Sequence, residues 1–463
     1  MRRLSFKIYS LGCKVNQYDG GELGGLLESA GFILVKNNAD LAIVNSCAVT
    51  FQAIAKSKEM IKKARQDNPS AKIILTGCLA KICDKNFIKQ AKIDLIMPSS
   101  DFEIKKIEKL FAFVPSLGRG ENSKLKIENY GRWSFAEQEI APLNSQDRSR
   151  YFLKVQDGCE QFCSYCVIPF TRGKLQSRPM SEVLAEAEAA VKKGYREIVL
   201  CGIHLGLFGI NNIDKKNQAR GANLLKLLRR LVEIKNLARI RLSSIEITEV
   251  SDGLINFMAG EPKMCRHLHI PLQSGGDKIL RLMRRPYDSR FFAAKIKKVR
   301  KKMPEIAIST DVIVGFPGET AEDFAQTQEF IKRIRFSRLH VFPFSPHVLT
   351  AAAKLPGRVE TGEIKKRSAI LRKLSNELAA DFAQNFRGRI LEVAVEQNRS
   401  SRTGKIKGRK MRGKTEYYFD VYFDRHDIVD RPAAQGRGAE SLIGRVLKIK
   451  ISAENFDRAL TRV

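Results

Sequence analysis

The stretch DGCEQFCSYC, residues 157–166, sets Cys159, Cys163 and Cys166 in a Cys-x3-Cys-x2-Cys pattern. Thiols crowded in this way bind metal. An iron–sulfur cube has four irons, each wanting a thiolate or equivalent, so one such loop takes three corners and leaves the fourth iron open to an exogenous ligand. An open corner means chemistry rather than scaffolding. The competing reading is structural zinc, which needs a second Cys/His pair to close its tetrahedron, and no such pair stands at motif spacing nearby.

The chain around this loop has 463 residues, enough for two to four domains, and three are expected. Hydrophobic residues at 43% and charged residues at 29% describe a soluble globular protein. No apolar run approaches the ~18 residues of a membrane span. The start, MRRLSFKIYSLGC, lacks the sustained apolar stretch of a signal peptide, so a cytoplasmic location is expected. Nine cysteines, odd in number, then argue against a disulfide framework and for metal or redox use. Lysine plus arginine exceed aspartate plus glutamate by 82 to 50, a net +32. Such a field concentrates polyanions, and nucleic acid is the commonest in the cytosol; the competing explanation is a solvated lysine-rich surface.

The elements that must position the thiols fall in three groups, giving an α/β protein. In residues 1–114, FKIYS, LAIVNS, KIILTG and DLIMP are apolar without alternation, as buried parallel strands are. A helix over FQAIAKSKEMIKKARQDNP has Thr50 as candidate N-cap and Asn68-Pro69 as stop. The result is an open parallel α/β sheet. Cys13, Cys47 and Cys78 each follow the carboxyl end of one of these strands, where ligands of open α/β sheets gather. Gly12 and Gly77, just before two of them, permit close backbone approach. For each cysteine alone, an inert buried thiol is the competing reading.

Residues 115–148, rich in Gly, Asn, Ser and Pro, read as a linker, with Trp133 either an interdomain anchor or a local core residue. In residues 149–376, FLKVQ, EIVLCG, RIRLSS, HLHIPL, IAISTDVIVGF and RLHVFPF are strand candidates, most of them followed by helical stretches. They compose a partial (β/α)6 barrel, and the cysteine loop directly follows its first strand, at the carboxyl rim where barrel active sites sit. In residues 377–463, ILEVAVEQ, YYFDVYFD and LIGRVLKIKISAEN alternate as antiparallel strands of a small β-barrel do. Between the first two lies RSSRTGKIKGRKMRGK, with eight basic and no acidic residues in sixteen.

CEQFCSYC resembles the signature of radical S-adenosylmethionine enzymes, whose cluster reductively splits the cofactor to a 5′-deoxyadenosyl radical. DGCEQFCSYCVIPFTRG, IPLQSGGDKILRLMRR and STDVIVGFPGET narrow the resemblance to the methylthiotransferase family over nearly the whole chain. This implies two [4Fe–4S] clusters, one on Cys159, Cys163 and Cys166, the other on Cys13, Cys47 and Cys78. Cys83, Cys201 and Cys265 have no such placement; Cys83 is read as structural rather than as a fourth ligand beside Cys78, because a closed cluster could not bind a sulfur donor. The resemblance also implies S-adenosylmethionine contacts at Gly202 and, from corresponding positions on the barrel rim, at Ser244, Glu246, Gln273 and Asp311, for each of which barrel packing is the alternative. Cys201 stands where the family usually has Thr or Ser.

The C-terminal segment resembles a TRAM domain, which is associated with RNA binding. Its basic loop supplies phosphate contacts, from Arg399, Arg402, Lys405, Lys407, Arg409, Lys410, Arg412 and Lys414. Tyr417, Tyr418, Phe419 and Tyr422 follow, some to stack on bases and some, Phe419 above all, to fill the core. LGCKVNQYD resembles the branch acting on N6-threonylcarbamoyladenosine at tRNA position 37, rather than those acting on N6-isopentenyladenosine or on a ribosomal-protein aspartate. The expectation is a monomeric enzyme that inserts a methylthio group at C2 of that nucleoside in the tRNA anticodon loop, using an external electron donor and a sulfur source. The reading from another class is a non-enzymatic iron–sulfur carrier with RNA affinity.

Overall fold

The computed structural model describes residues 3–98, 149–210, 222–396, 411–430 and 442–456. The expected linker, with Trp133, and Arg399, Arg402, Lys405, Lys407, Arg409 and Lys410 lie outside the described residues.

The first sheet is built from β1 (Ser5–Ser10), β2 (Ile33–Leu34), β3 (Leu41–Ser46), β4 (Lys72–Gly77) and β5 (Leu95–Met97). They run parallel in the order β2-β1-β3-β4-β5. Every residue of β3 is buried. The cause is a helix on each face: Ala42 and Val44 pack with Ile61 and Ala64 of α2 (Phe51–Asp67), while Leu41 and Ile43 pack with Leu23 and Leu27 of α1 (Lys14–Ser29). Thr50 caps α2 by accepting from the Ala53 N–H at 3.1 Å, and Asn68 ends it. A short α3 (Lys85–Gln90) precedes β5.

The second unit carries the six expected parallel strands: β6 (Tyr151–Asp157), β8 (Glu197–Gly202), β9 (Arg239–Leu242), β10 (His267–His269), β11 (Ala307–Val314) and β12 (Arg338–Pro343). They form two ladders, β6-β8-β9 and β10-β11-β12, joined by parallel bridges Ile240↔Met264 and Ser244↔His269. A two-residue β7 (Gln176–Ser177) adds antiparallel to β6. The helices α4 (Ile168–Arg172), α5 (Met180–Lys192), α6 (Ala222–Val232), α7 (Asp252–Gly260), α8 (Asp277–Leu282), α9 (Ser289–Lys302), α10 (Ala321–Ile334) and α11 (Thr361–Gln384) intervene or follow. Among the described residues, no helix is long and apolar enough to cross a membrane.

The last unit is an antiparallel sheet, β15-β14-β13-β16, of β13 (Ile390–Glu396), β14 (Met411–Thr415), β15 (Asp420–Phe423) and β16 (Val446–Lys450). The sequence pattern put one strand through YYFDVYFD; instead a hairpin turns there, with Tyr418 at φ 72. The reason is tertiary. Arg239 donates to the carbonyls of Glu392 (2.9 Å) and Lys414 (2.7 Å), and Arg241 to those of Glu416 (3.0 Å) and Thr415 (2.9 Å). Both guanidiniums are buried and held by Glu197, at 2.7 and 2.8 Å. The hairpin is thereby clamped to the amino ends of β8 and β9, opposite the cysteine rim, with Tyr418 stacked on His267 at 4.4 Å.

This clamp corrects two expectations. Tyr417 packs on Phe386 and Tyr418 on His267, so these two rings face the protein rather than nucleobases, while Phe419 packs against the core as expected. Lys414 is buried and paired with Asp420 at 2.6 Å, and the half-buried Arg412 with Asp420 at 3.3 Å. A buried, neutralised lysine does not reach a phosphate.

Candidate functional site

The carboxyl ends of β1, β3 and β4 are neighbours, so the residues just beyond them are too. Leu11 donates to the Asn45 carbonyl at 2.9 Å and Cys78 to the Ser46 carbonyl at 3.0 Å, which aligns the three ends. Cys13, exposed, starts α1; Cys47 and Cys78 are buried. The glycines serve this convergence. A Cβ on Gly77, at φ 83, would lie 2.3 Å from the Ser46 carbonyl oxygen, and one on Gly12, at φ 101, 3.2 Å from the Cβ of Cys47. What comes close is the neighbouring strand end itself. Burial, reinforced by Cys13 and Cys47 and opposed by Arg172, pushes the Cys78 thiol up to about 11.

Cys159, Cys163 and Cys166 follow β6, at the carboxyl rim of the second sheet. A Cys166 N–H to Cys163 carbonyl bond of 3.0 Å and a left-handed Phe162 fold the loop back on itself. Burial pushes Cys166 up to about 12, and Cys163 upward as well. Thiols so placed stay protonated at neutral pH until a metal replaces the proton.

Each trio has a cation set against it. Arg285 donates to Cys163 Sγ at 3.2 Å and pairs with Glu246. His204 lies 3.5 Å from Cys159 Sγ and pairs with Glu249; burial alone would lower it, but Cys159 and Glu249 outweigh this and carry it up to about 10. Arg172 lies near the Cys78 thiol, where its charge opposes the upward shift that burial causes. It also reaches Asn16 (3.1 Å), Asp19 (3.0 Å) and Asp157 (2.8 Å), so one buried guanidinium joins the amino-terminal trio to the strand that launches the other. Around it, Lys154 pairs with Asp19 at 2.6 Å, and Arg178 and Tyr18 share Glu186. Through these contacts α1 lies on β6.

Among the described residues, the only three donors gathered within 4.8 Å of one another, as a single ion requires, are Asp424, His426 and Asp427 on the carboxyl-terminal sheet. Neither cysteine trio is gathered for one zinc. Thiols at strand ends with cations facing them suit a cluster that brings its own irons and sulfides between the thiolates.

The positions expected to touch S-adenosylmethionine divide. Gly202 ends β8, Ser244 follows β9, and Gln273, at φ 67, follows β10, so all three stand on the rim. Glu246 is there too, held by Arg285. Asp311 departs from its expected rim position: it lies within β11, beside His340 and 3.1 Å from His269. Strand length sets this, because β11 continues three residues further, to Val314. Cys201 packs with Val15, Phe152 and Val199 where α1 covers the barrel wall. Cys83 packs in the core of the first sheet, and Cys265 is buried.

Arg172, His204 and Arg285 were not singled out from the sequence, although IPFTRG, LCGIHLG and LRLMRR contain them. Their signal is faint: a basic side chain within an apolar run. Replacing Arg172 by alanine is expected to lower turnover about 10- to 100-fold, as loss of a residue supporting metal ligands does; turnover and iron content of the purified variant check this.

Residues 153–331 match the family model of the Radical SAM superfamily, and residues 5–98 that of the uncharacterized protein family UPF0004. The chain is 34% identical over 446 residues to threonylcarbamoyladenosine tRNA methylthiotransferase MtaB of Bacillus subtilis (strain 168), covering 96% of this chain and 92% of that one. It is 35% identical over 392 residues to the Thermotoga maritima protein of that name, at 84% and 86% coverage. It is 33% identical over 419 residues to tRNA-2-methylthio-N(6)-dimethylallyladenosine synthase of Endomicrobium trichonymphae, at 89% and 92% coverage. In fold, it resembles the radical S-adenosylmethionine methyltransferase TsrM from Kitasatospora setae, with a TM-score of 0.52 and 15% identity over 76% of this chain and 77% of that one. Full-length similarity of this kind, in a chain with a radical S-adenosylmethionine domain, shows that the protein belongs to the radical S-adenosylmethionine methylthiotransferase family.

Proposed function

We propose that the protein inserts a methylthio group at C2 of N6-threonylcarbamoyladenosine at position 37 of tRNA. Cys159, Cys163 and Cys166 hold one [4Fe–4S] cluster, and Cys13, Cys47 and Cys78 hold the other. When bound, the first supplies reductive cleavage of S-adenosylmethionine and the second a place for the sulfur to be transferred. An external electron donor and a sulfur source are required, and a further S-adenosylmethionine, besides the one that is split to the radical, supplies the methyl group to the sulfur. C2–H is an unactivated aromatic position, so acid–base groups alone do not substitute it, and the chain's task is to position and to exclude water.

The observation that carries this proposal is Arg172, whose charge acts on the Cys78 thiol of one trio while it pairs with the aspartate two residues before the other. Two catalytic groups that act on one carbon need such proximity. Gly202, Ser244, Glu246 and Gln273 would hold the cofactor on the rim, with Arg285 fixing Glu246; Asp311 would reach it from inside the barrel.

Relatives named for dimethylallyladenosine favour a second substrate, N6-isopentenyladenosine at the same position. Nucleoside mass spectrometry of tRNA from a deletion strain separates the two. The 2-methylthio derivative of N6-threonylcarbamoyladenosine is expected to disappear. Loss of the isopentenyl derivative instead reassigns the substrate, and an unchanged profile refutes both.

A further inference from the structure

Exposed phenylalanine is costly in water, and its location is informative. Among the described residues five phenylalanines are exposed, and four of them stand around the cysteine rim: Phe51, Phe162, Phe170 and Phe342. Phe162 lies between Cys159 and Cys163, 50% exposed, and meets Phe170 edge to face at 6.2 Å. Phe51 is 56% exposed, four residues after Cys47. Phe342, in β12, lies on the same face as His340, whose ring meets that of His269 inside the barrel, and is 42% exposed towards the strand's carboxyl end.

These rings belong to one continuous rim. The Phe51 N–H donates to Ser345 Oγ at 2.9 Å, joining the amino-terminal unit to the segment after β12. That segment in turn donates from the Ala352 N–H to the Ser164 carbonyl at 2.7 Å, which joins it to the cysteine loop. Val348, at its tip, is 82% exposed. Lys56, Lys81, Lys174 and Lys354 are exposed on the same segments. Flat apolar rings interspersed with lysines fit neither lipid, which wants a continuous apolar face, nor a double helix, whose bases are hidden. They fit unpaired nucleotides, whose bases stack on rings while their phosphates meet lysines.

We infer that Phe51, Phe162, Phe170 and Phe342 form a stacking collar that grips the unpaired bases around the target nucleotide and so selects an RNA loop over a duplex. The collar rests on the proposed function only in that the loop is taken to be the tRNA anticodon loop. It also places base recognition at the rim, at the end of the barrel opposite the docked carboxyl-terminal hairpin.

The test uses full-length, cluster-loaded protein and fluorescence anisotropy with a labelled anticodon stem-loop RNA, the same RNA annealed to its complement, and heparin as a polyanion without bases. Phe162→Leu and Phe342→Leu are each expected to weaken stem-loop binding about fivefold or more, and Phe→Trp at the same positions to hold it within about twofold. The slope of log affinity against log salt stays as in the wild type, because no phosphate contact is lost, and heparin binding does not change. Phe51→Leu and Phe170→Leu give the same answer without altering a residue between cluster cysteines. Leucine variants that bind the stem-loop as tightly as the wild type overturn the collar and leave the proposed function standing. Equal loss of stem-loop and heparin binding also overturns it. If the rings govern loop binding but tRNA profiles are unchanged in a deletion strain, the collar stands and the proposed reaction falls; a wild type with no preference for the loop over its duplex removes the collar.

Discussion

Replacing Cys159, Cys163 and Cys166 together by alanine is expected to remove about four of roughly eight irons per chain and to abolish formation of 5′-deoxyadenosine from S-adenosylmethionine. Replacing Cys13, Cys47 and Cys78 is expected to remove the other four yet to leave 5′-deoxyadenosine formation intact, with methylthio transfer reduced to background. The asymmetry follows from position. Cys159, Cys163 and Cys166 occupy the barrel rim with Gly202, Ser244, Glu246 and Gln273, whereas Cys13, Cys47 and Cys78 stand on a separate sheet that meets the barrel through α1 and Arg172. Anaerobic iron and sulfide determination with chromatography of the nucleoside product reads both effects. A protein holding about four irons, or one in which both triple variants lose cofactor cleavage alike, contradicts the assignment. A carrier without enzymatic activity releases no 5′-deoxyadenosine in any form.

The second large effect concerns the far end of the barrel. Glu197 is buried and faces Arg239 at 2.7 Å, Arg241 at 2.8 Å and Arg150 at 3.8 Å. Glu197→Ala is expected to destabilise the fold by roughly 3–5 kcal/mol, because it leaves buried guanidiniums without their counter-charge. The other hydrogen bonds of Arg239 and Arg241 run to carbonyls of β13 and of the hairpin in the carboxyl-terminal unit, so that unit's docking is expected to loosen first. Denaturant unfolding and limited proteolysis between the units measure this.

The same carboxylate sets a pH dependence. Burial alone would raise Glu197, but Arg239, Arg241 and Arg150 outweigh it and hold the group far below its ordinary 4.5. The unfolded chain therefore binds the proton first as pH falls. Stability from this group is fully present above pH 4.5 and declines below it, towards the folded-state value. Glu197→Gln, which keeps the shape without the charge, is expected to show a shallower loss of stability than the wild type below that pH; an identical slope contradicts the sign.

Much of this was legible in the chain itself. The parallel strands are continuous apolar runs because both faces are covered, and β3 shows why: its alternate residues enter two different cores. The cap at Thr50 is a one-residue signal with a local cause. Both cysteine trios are readable because one is contiguous and each member of the other ends a recognisable strand. The hairpin at Tyr418 is not legible in YYFDVYFD, which keeps a strand's alternation, because the turn is imposed by arginines some 175 positions away.

By itself, then, the sequence determined the classes of element, the order of the units and which sulfurs stand at strand ends, since these depend on periodicity and on contacts between neighbours along the chain. Only the tertiary structure decided which charges meet those sulfurs, that Lys414 is withdrawn from the surface, that Asp311 lies inside the barrel rather than on its rim, and that phenylalanines from three separate segments ring one mouth. Those outcomes depend on distances between residues far apart in the chain. Burial and pairing energies are set by such distances, and no local pattern encodes them.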